Sequence, residues 1–324
     1  MSQAVIIEKL KGGSFSSTNV ISVDGELRVR KSISNKDNRE YGLVRWHSQI
    51  RKLQILKFFF PDNVPQILET GVSFNSYYFD IPYLTSCKNY YELLKDSNEN
   101  LSRKAVNALF DLIAKFENIE FGAVKGGLNL FVNEELKEIL KSAQKDLEAN
   151  LDKDSQNIII KLSDKIENSI KYLDENAGTL EALEMNETIS HGNLTLENVM
   201  FDSEKNIPIL IDPYAETYTE SILGDVSQLM QSSISNYEKI MEIGEDCIDL
   251  NKQPKLIESV GINYLNKRLR NYNIGLEDEK KIALKILHAG QFVRMFPFKI
   301  DKTPKLAAFF LNHGLDLLLD EKQC

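Results

Sequence analysis

The sequence predicts an α+β chain in two parts: a small antiparallel sheet carrying one helix over residues 1–85, and a larger, mostly helical part over 86–324. Three observations lead there. The first stretch is made of short apolar runs broken by Gly, Ser, Asn and Asp, the texture of strands and turns. From Asn89 onward the apolar spacing changes to the helical period. Within the helical part, a loop beginning at His191 is flanked by short apolar runs that read as strands.

In the first part the strands are expected at Ala4 to Leu10, Ser17 to Val23, Glu26 to Ser32, Pro65 to Phe74 and Tyr77 to Pro82. Asp24-Gly25 between two of them is a tight-turn signal, because both residue types tolerate the positive φ that such turns need. One helix interrupts the series. Asp37 or Asn38 caps it, Tyr41, Val44, Ile50, Leu53, Ile55 and Leu56 supply its apolar stripe, and Pro61 ends it after Phe59. In the second part helices are expected at about 90–95, 101–118, 133–151, 155–176, 179–183, 224–243, 249–270, 276–296 and 302–321. Short strands are expected at Ile189 to His191, Val199 to Phe201 and Ile207 to Ile211. The break near Thr85-Ser86 is a polar step rather than a long tether.

Composition excludes several classes. With Lys+Arg 39 against Asp+Glu 48 the net charge is -9, which argues against general nucleic-acid binding. Three cysteines, Cys87, Cys247 and Cys324, are too scattered for a disulfide framework or a Cys-x-x-Cys metal site. No signal pattern opens the chain, and no apolar run reaches the roughly 18 residues a membrane span requires. The expectation is a cytoplasmic protein with no membrane partner.

The chemistry concentrates in His191-Gly192-Asn193-Leu194-Thr195-Leu196-Glu197-Asn198 and in Ile209-Leu210-Ile211-Asp212-Pro213. Phosphoryl transfer needs a group to orient the attacking hydroxyl, an amide oxygen for a metal ion, and a carboxylate that grips metal and phosphates. Asn198 and Asp212 are the candidate metal ligands, residue 193 stands where the hydroxyl would be oriented, and His191 braces the loop. Asp225, opening a helix, suits a carboxylate that accepts backbone N–H bonds or simply a helix N-terminal acid. Upstream, Lys11-Gly12-Gly13-Ser14 lies between two strands, where glycine lets backbone amides approach phosphates. In the next strand Leu27, Val29 and Lys31 share one face: an apolar roof for a base, then a cation for phosphates. Arg30 projects to the other face. Glu40 in the first turns of the helix is the expected partner of Lys31. Where the chain leaves the first part, Pro82 has no N–H, so a base would be bound by the backbone of Ile81 or Tyr83.

In that order these segments resemble the aminoglycoside phosphotransferase and choline kinase-like family, a branch of the protein-kinase-like fold. The resemblance runs through Gly12-Gly13 to Asn19, Val29-Arg30-Lys31, Glu40, His191-Gly192 to Asn198, Ile211-Asp212-Pro213 and Gly224-Asp225. It implies a two-lobed fold, ATP or GTP with Mg2+, and transfer to a hydroxyl on a small-molecule acceptor. Residues 1–85 would be the nucleotide lobe, and 86–324 the lobe with catalytic loop and acceptor site. Leu194 to Asn198 and Arg294 to Lys299 are similar to members associated with bacterial surface polysaccharide, so a sugar or surface-glycan precursor is the expected acceptor. Arg294 and Lys299 would suit an anionic one.

One letter departs from the family. The expected Asp two residues after the histidine is Asn193, and a neutral amide has almost no basicity. General-base contributions are of order 10²–10⁴-fold, so the chain should bind nucleotide yet transfer slowly. Two readings follow: an inactivated form of a working kinase, or a natural nucleotide-binding pseudokinase with a regulatory or scaffold role.

Overall fold

The computed structural model describes residues 4–10, 16–34, 39–73, 75–96, 98–151, 155–215, 220–250 and 257–320. Its strands are β1 (Val5–Leu10), β2 (Ser16–Val23), β3 (Glu26–Ser34), β4 (Glu69–Ser73), β5 (Ser76–Pro82), β6 (Cys87–Asn89), β7 (Glu120–Lys125), β8 (Glu184–Thr188), β9 (Val199–Asp202) and β10 (Ile207–Leu210). Its helices are α1 (Arg39–Phe59), α2 (Tyr90–Asp96), α3 (Glu99–Glu117), α4 (Gly127–Leu130), α5 (Lys137–Asn150), α6 (Gln156–Glu175), α7 (Ala177–Ala182), α8 (Ile222–Ser233), α9 (Tyr237–Ile243), α10 (Val260–Ile274), α11 (Asp278–Val293), α12 (Phe296–Lys299) and α13 (Pro304–Leu319). The architecture is α+β, with an antiparallel-sheet N-lobe and a helical C-lobe. The chain divides into two units, one of 1–90 with 191–194 and 198–217, the other of 91–190, 195–197 and 218–324.

The first unit is built on an antiparallel sheet in the order β1-β2-β3-β5-β4. β2 and β3 are joined at Asp24-Gly25, whose φ angles of 51° and 85° are the left-handed pair of a tight hairpin turn. Pairing Arg30 with Asp80 and Lys31 with Phe79 sends neighbouring side chains to opposite faces. On one face Arg30 forks onto Asp80, both contacts at 2.7 Å, and its guanidinium lies 3.8 Å from the centre of the Tyr78 ring. Asp80 is 0% exposed, so this ion pair replaces water that the carboxylate has lost. The Tyr78 ring occupies the space above Gly71, its partner across β4 and β5, where an added Cβ would come within 2.5 Å of the ring.

The opposite face is covered by α1. Trp46 stacks on Tyr77 with ring centres 5.6 Å apart and donates its indole N–H to the carbonyl of Tyr78. Leu53, Leu56 and Phe60 are buried on the same helix and its end. Val44 and Ile55, expected in the stripe, are exposed, and so is Phe58, at 80%. The run Pro65 to Leu68 is irregular, so the strand expected from Pro65 begins only at Glu69; a proline brings no N–H to a ladder, which explains the delay. A second, three-stranded sheet in the order β10-β9-β6 completes the unit.

In the second unit Phe292 of α11, Phe296 of α12 and Phe310, Leu311 and Leu315 of α13 share a core with Leu162 and Ile166 of α6 and Leu223 of α8. The expected helix 224–243 is two helices. Asn236 takes a left-handed φ of 54°, its amide bonds Ser233 and Ile234 carbonyls, and its oxygen accepts from the N–H of Ile257. Asn tolerates that backbone, and the local bonds compete with helix continuation. The strand expected at Ile189 to His191 lies instead at β8, just before it, paired with β7, which the sequence pattern does not announce. Among the described residues, no helix is long and apolar enough to cross a membrane.

Candidate phosphoryl-transfer site

β9 and β10 form a hairpin in which Val199 opposes Leu210, so the ends of Asn198 and Ile211 lie side by side; the Ile211 N–H donates to the Asn198 carbonyl at 3.0 Å. Asn63, just beyond α1, secures the outer strand. Its carbonyl accepts from the N–H of Leu210 at 2.7 Å, and its amide donates to the carbonyl of Pro208 at 2.8 Å. Asp212 then turns out of the strand with φ 55°, and Gly192 turns the preceding loop with φ 77°. A left-handed non-glycine residue is costly, and such residues concentrate where geometry serves function.

The side chains converge. Lys31 on β3 is buried and forms an ion pair with the Asp212 carboxylate. Gln49 on α1 donates to the same oxygen, Oδ1, at 2.5 Å. Asn193 donates its amide N–H to the backbone carbonyl of Asp212 at 3.0 Å. Asn198 donates its amide N–H to the carbonyl of Asn193 at 2.9 Å. Lys31, Asn193, Asn198 and Asp212, which stand apart in the sequence, are thus one hydrogen-bonded cluster. His191 beside them is 0% exposed. Burial pushes its pKa down to about 4, against a weaker upward pull from Asp212 and from the backbone of Ile211 and Asn193. It is therefore a neutral imidazole at pH 7, and its own carbonyl accepts from the Tyr214 N–H at 3.0 Å.

Other expected residues fall outside the cluster. Glu40 is exposed in the first turn of α1, and Lys31 takes Asp212 as its carboxylate. The α1 residue that reaches the pair is Gln49, about two and a half turns further on. Val29 pairs with Ile81 across β3 and β5. The Tyr83 N–H donates to the carbonyl of Leu27 at 3.4 Å. Gly12, Gly13 and Ser14 lie outside the described residues. In the second unit, Asp225 is fully buried in the first turn of α8, whose N-terminus Ser221 caps. Arg294 is bonded to Glu135 at 2.6 Å, while Lys299 has its pKa lowered by burial and by Lys302.

The donor chemistry here is a carboxylate and an amide oxygen, hard ligands that suit Mg2+, which fills its remaining positions with water and phosphate oxygens. The fit has one more mark. Gln49 is 3% exposed, and its Oε1 has no hydrogen-bond partner among the described residues. A buried acceptor left open beside a Lys–Asp pair is costly unless a donor or cation comes to it.

The sequence matches no protein-family model and no curated relative. The structure is similar to a protein described as a fructosamine-3-kinase from Haemophilus somnus 129PT, at 16% identity and TM-score 0.54, over 98% of this chain and 92% of that one. It is also similar to a thermostable mutant of the aminoglycoside phosphotransferase APH(4)-Ia, solved with AMP-PNP and hygromycin B, at 12% identity and TM-score 0.51, over 97% and 95% of the two chains. At such identities the likeness is one of fold, and it spans nearly all of each chain. The chain has the protein-kinase-like fold that these small-molecule phosphotransferases share.

Proposed function

We propose that this chain is a nucleotide-dependent phosphotransferase acting on a hydroxyl of a small molecule, with its rate limited by Asn193. The observation that carries the reading is the cluster of Lys31, Asp212, Asn198 and Asn193, joined by direct hydrogen bonds. In this reading ATP or GTP is the donor, with its base against Val29 and the backbone of Ile81 and Tyr83. Its phosphates meet Gly12, Gly13, Ser14 and Lys31. Asp212 and Asn198 hold Mg2+, which supplies neutralisation of phosphate charge. Residue 193 orients the acceptor hydroxyl, for which a sugar or surface-glycan precursor is the class favoured by the loop sequence. Positioning and charge neutralisation supply most of the rate in this chemistry, and residue 193 supplies no proton acceptor.

The test is calorimetric titration of the full chain with ADP, with and without Mg2+. Mg2+-dependent binding is expected, and Lys31→Met and Asp212→Asn should each weaken it about 10-fold or more, the worth of a hydrogen bond to a charged group. An absence of ADP binding in folded protein sinks the proposal.

A second reading, a nucleotide-binding regulator, is favoured by one specific contact. The Asn193 amide donates to the Asp212 carbonyl, which an ionised Asp has no proton to do. An Asn suited to its own surroundings is what a chain settled into a non-catalytic role would carry.

A further inference from the structure

Gln49 is the polar residue of α1 that is bonded to Asp212 beside Lys31, and its two ends are used unequally. Its N–H donates to Asp212 Oδ1 and, at 3.4 Å, to the carbonyl of Pro213. Its Oε1 is buried and has no partner among the described residues. Asp212 Oδ1 therefore receives two donors, Lys31 and Gln49. A divalent cation arriving at that oxygen repels the ammonium and competes with both N–H groups for the same lone pairs. Lys31 must then leave the carboxylate, and in a buried site an ammonium needs new acceptors.

We infer that Gln49 is a positioning residue that exchanges roles with the state of Asp212: its N–H braces the carboxylate while Lys31 is paired to it, and its Oε1 receives Lys31 once Asp212 turns to a cation. A side-chain amide can act on both sides of this exchange, because it carries donors and an acceptor. A carboxylate at the same place can only accept; it would draw Lys31 away at all times and repel Asp212. An apolar residue can do neither. The amide makes the Lys31–Asp212 pair a latch, which the arriving cation and phosphates together release. This inference rests on the proposed nucleotide reading for its ligand, while the latch itself is a property of the chain alone.

The experiment uses the full chain with Gln49→Glu and Gln49→Met. Calorimetric titrations with ADP at increasing Mg2+ read the concentration of Mg2+ that gives half of maximal affinity. In Gln49→Glu this concentration should fall several-fold, to about 10-fold, since Lys31 is already drawn off Asp212; Gln49→Met, which removes the brace and the receiving oxygen together, should not reproduce that fall. Values within twofold of the parent in both variants overturn the inference. Melting without nucleotide or Mg2+ gives a separate reading. Gln49→Glu should lower the melting temperature several degrees more in a Lys31→Met background than in the parent, because only Lys31 offsets two facing carboxylates. Equal losses in the two backgrounds overturn the latch. If the parent binds no ADP, the phosphotransferase reading fails, and the melting comparison still decides the role of Gln49.

Discussion

Asn193 and Asp212 are tied by one hydrogen bond, from the side-chain amide of the first to the main-chain carbonyl of the second, at 3.0 Å. The contact fixes residue 193 against the left-handed turn that presents the Asp212 carboxylate. It also gives the Asn a structural part, since an amide carries almost no basicity but supplies a brace.

Asn193→Asp should therefore raise transfer and lower stability together. Phosphoryl transfer to a hydroxylated acceptor should rise by about 10²–10⁴-fold over the parent chain, the usual range for a restored general base. Stability should fall by about 1 kcal/mol or somewhat more, for the lost bond and a carboxylate now facing a carbonyl. Coupled ATP turnover across sugars and amino sugars, with urea unfolding of both proteins, checks both halves. Unchanged turnover throughout the panel, with ADP binding intact, moves the balance to the regulator.

Arg30 is the neighbour of Lys31 in sequence and its opposite in role. Arg30→Met leaves the fully buried Asp80 carboxylate without its fork and should cost about 3–5 kcal/mol of stability. ADP affinity of the folded fraction should change less than twofold, because the pair lies on the sheet face away from Lys31. Chemical denaturation and calorimetry on the same sample test this; a large loss of affinity in fully folded protein would contradict the assignment of faces.

Stability should fall as the solution is acidified below about pH 6.5. Burial lowers the pKa of His191 to about 4 and of His313 to about 4, opposed by Asp212 at the first and by Asp316 at the second. It lowers that of His288 to about 3, with His313 adding to the effect. In each case the folded form binds its proton later than the unfolded chain, so the unfolded state takes up more protons as pH drops. The stabilisation is complete above about 6.5 and is lost progressively toward 4, with each group contributing a slope of up to ~1.4 kcal/mol per pH unit. Melting curves from pH 7.5 to 4.5 should show the decline, and His288→Gln should make it shallower; an unchanged slope in that variant would count against His288 as a contributor.

The fold was legible because its punctuation is local. Asp24-Gly25 announces a hairpin whatever surrounds it, and Pro61 ends α1 where a proline must. The loop and hairpin residues stood out by residue type at fixed spacing, and the structure does bring Asn193, Asn198 and Asp212 together in one hydrogen-bonded cluster. Two features were hidden. Strands β7 and β8 pair across 120–125 and 184–188, and nothing short-range in either segment marks the other. Gln49 was hidden by its neutrality: a lysine over phosphates asks for an acid on α1, and Glu40 answers that description while standing exposed. A signal did exist, since Gln49, Leu53 and Leu56 follow the helical period on one buried face. A polar residue on such a stripe needs a bonding partner, and that partner is Asp212.

Lys31 and Asp212 are 181 residues apart along the chain. A fragment ending near residue 90 would hold the ammonium and the amide of Gln49 but lack the hairpin that Asn63 grips. During synthesis the N-terminal sheet leaves the ribosome well before β9 and β10 exist, so an early-folding sheet would wait with Lys31 unmatched. Long-range closure of this kind is slow relative to local hairpin and helix formation. The Lys31–Asp212 pair therefore cannot form until β9 and β10 have been made, and a chain terminated before Asp212 carries only its N-terminal half.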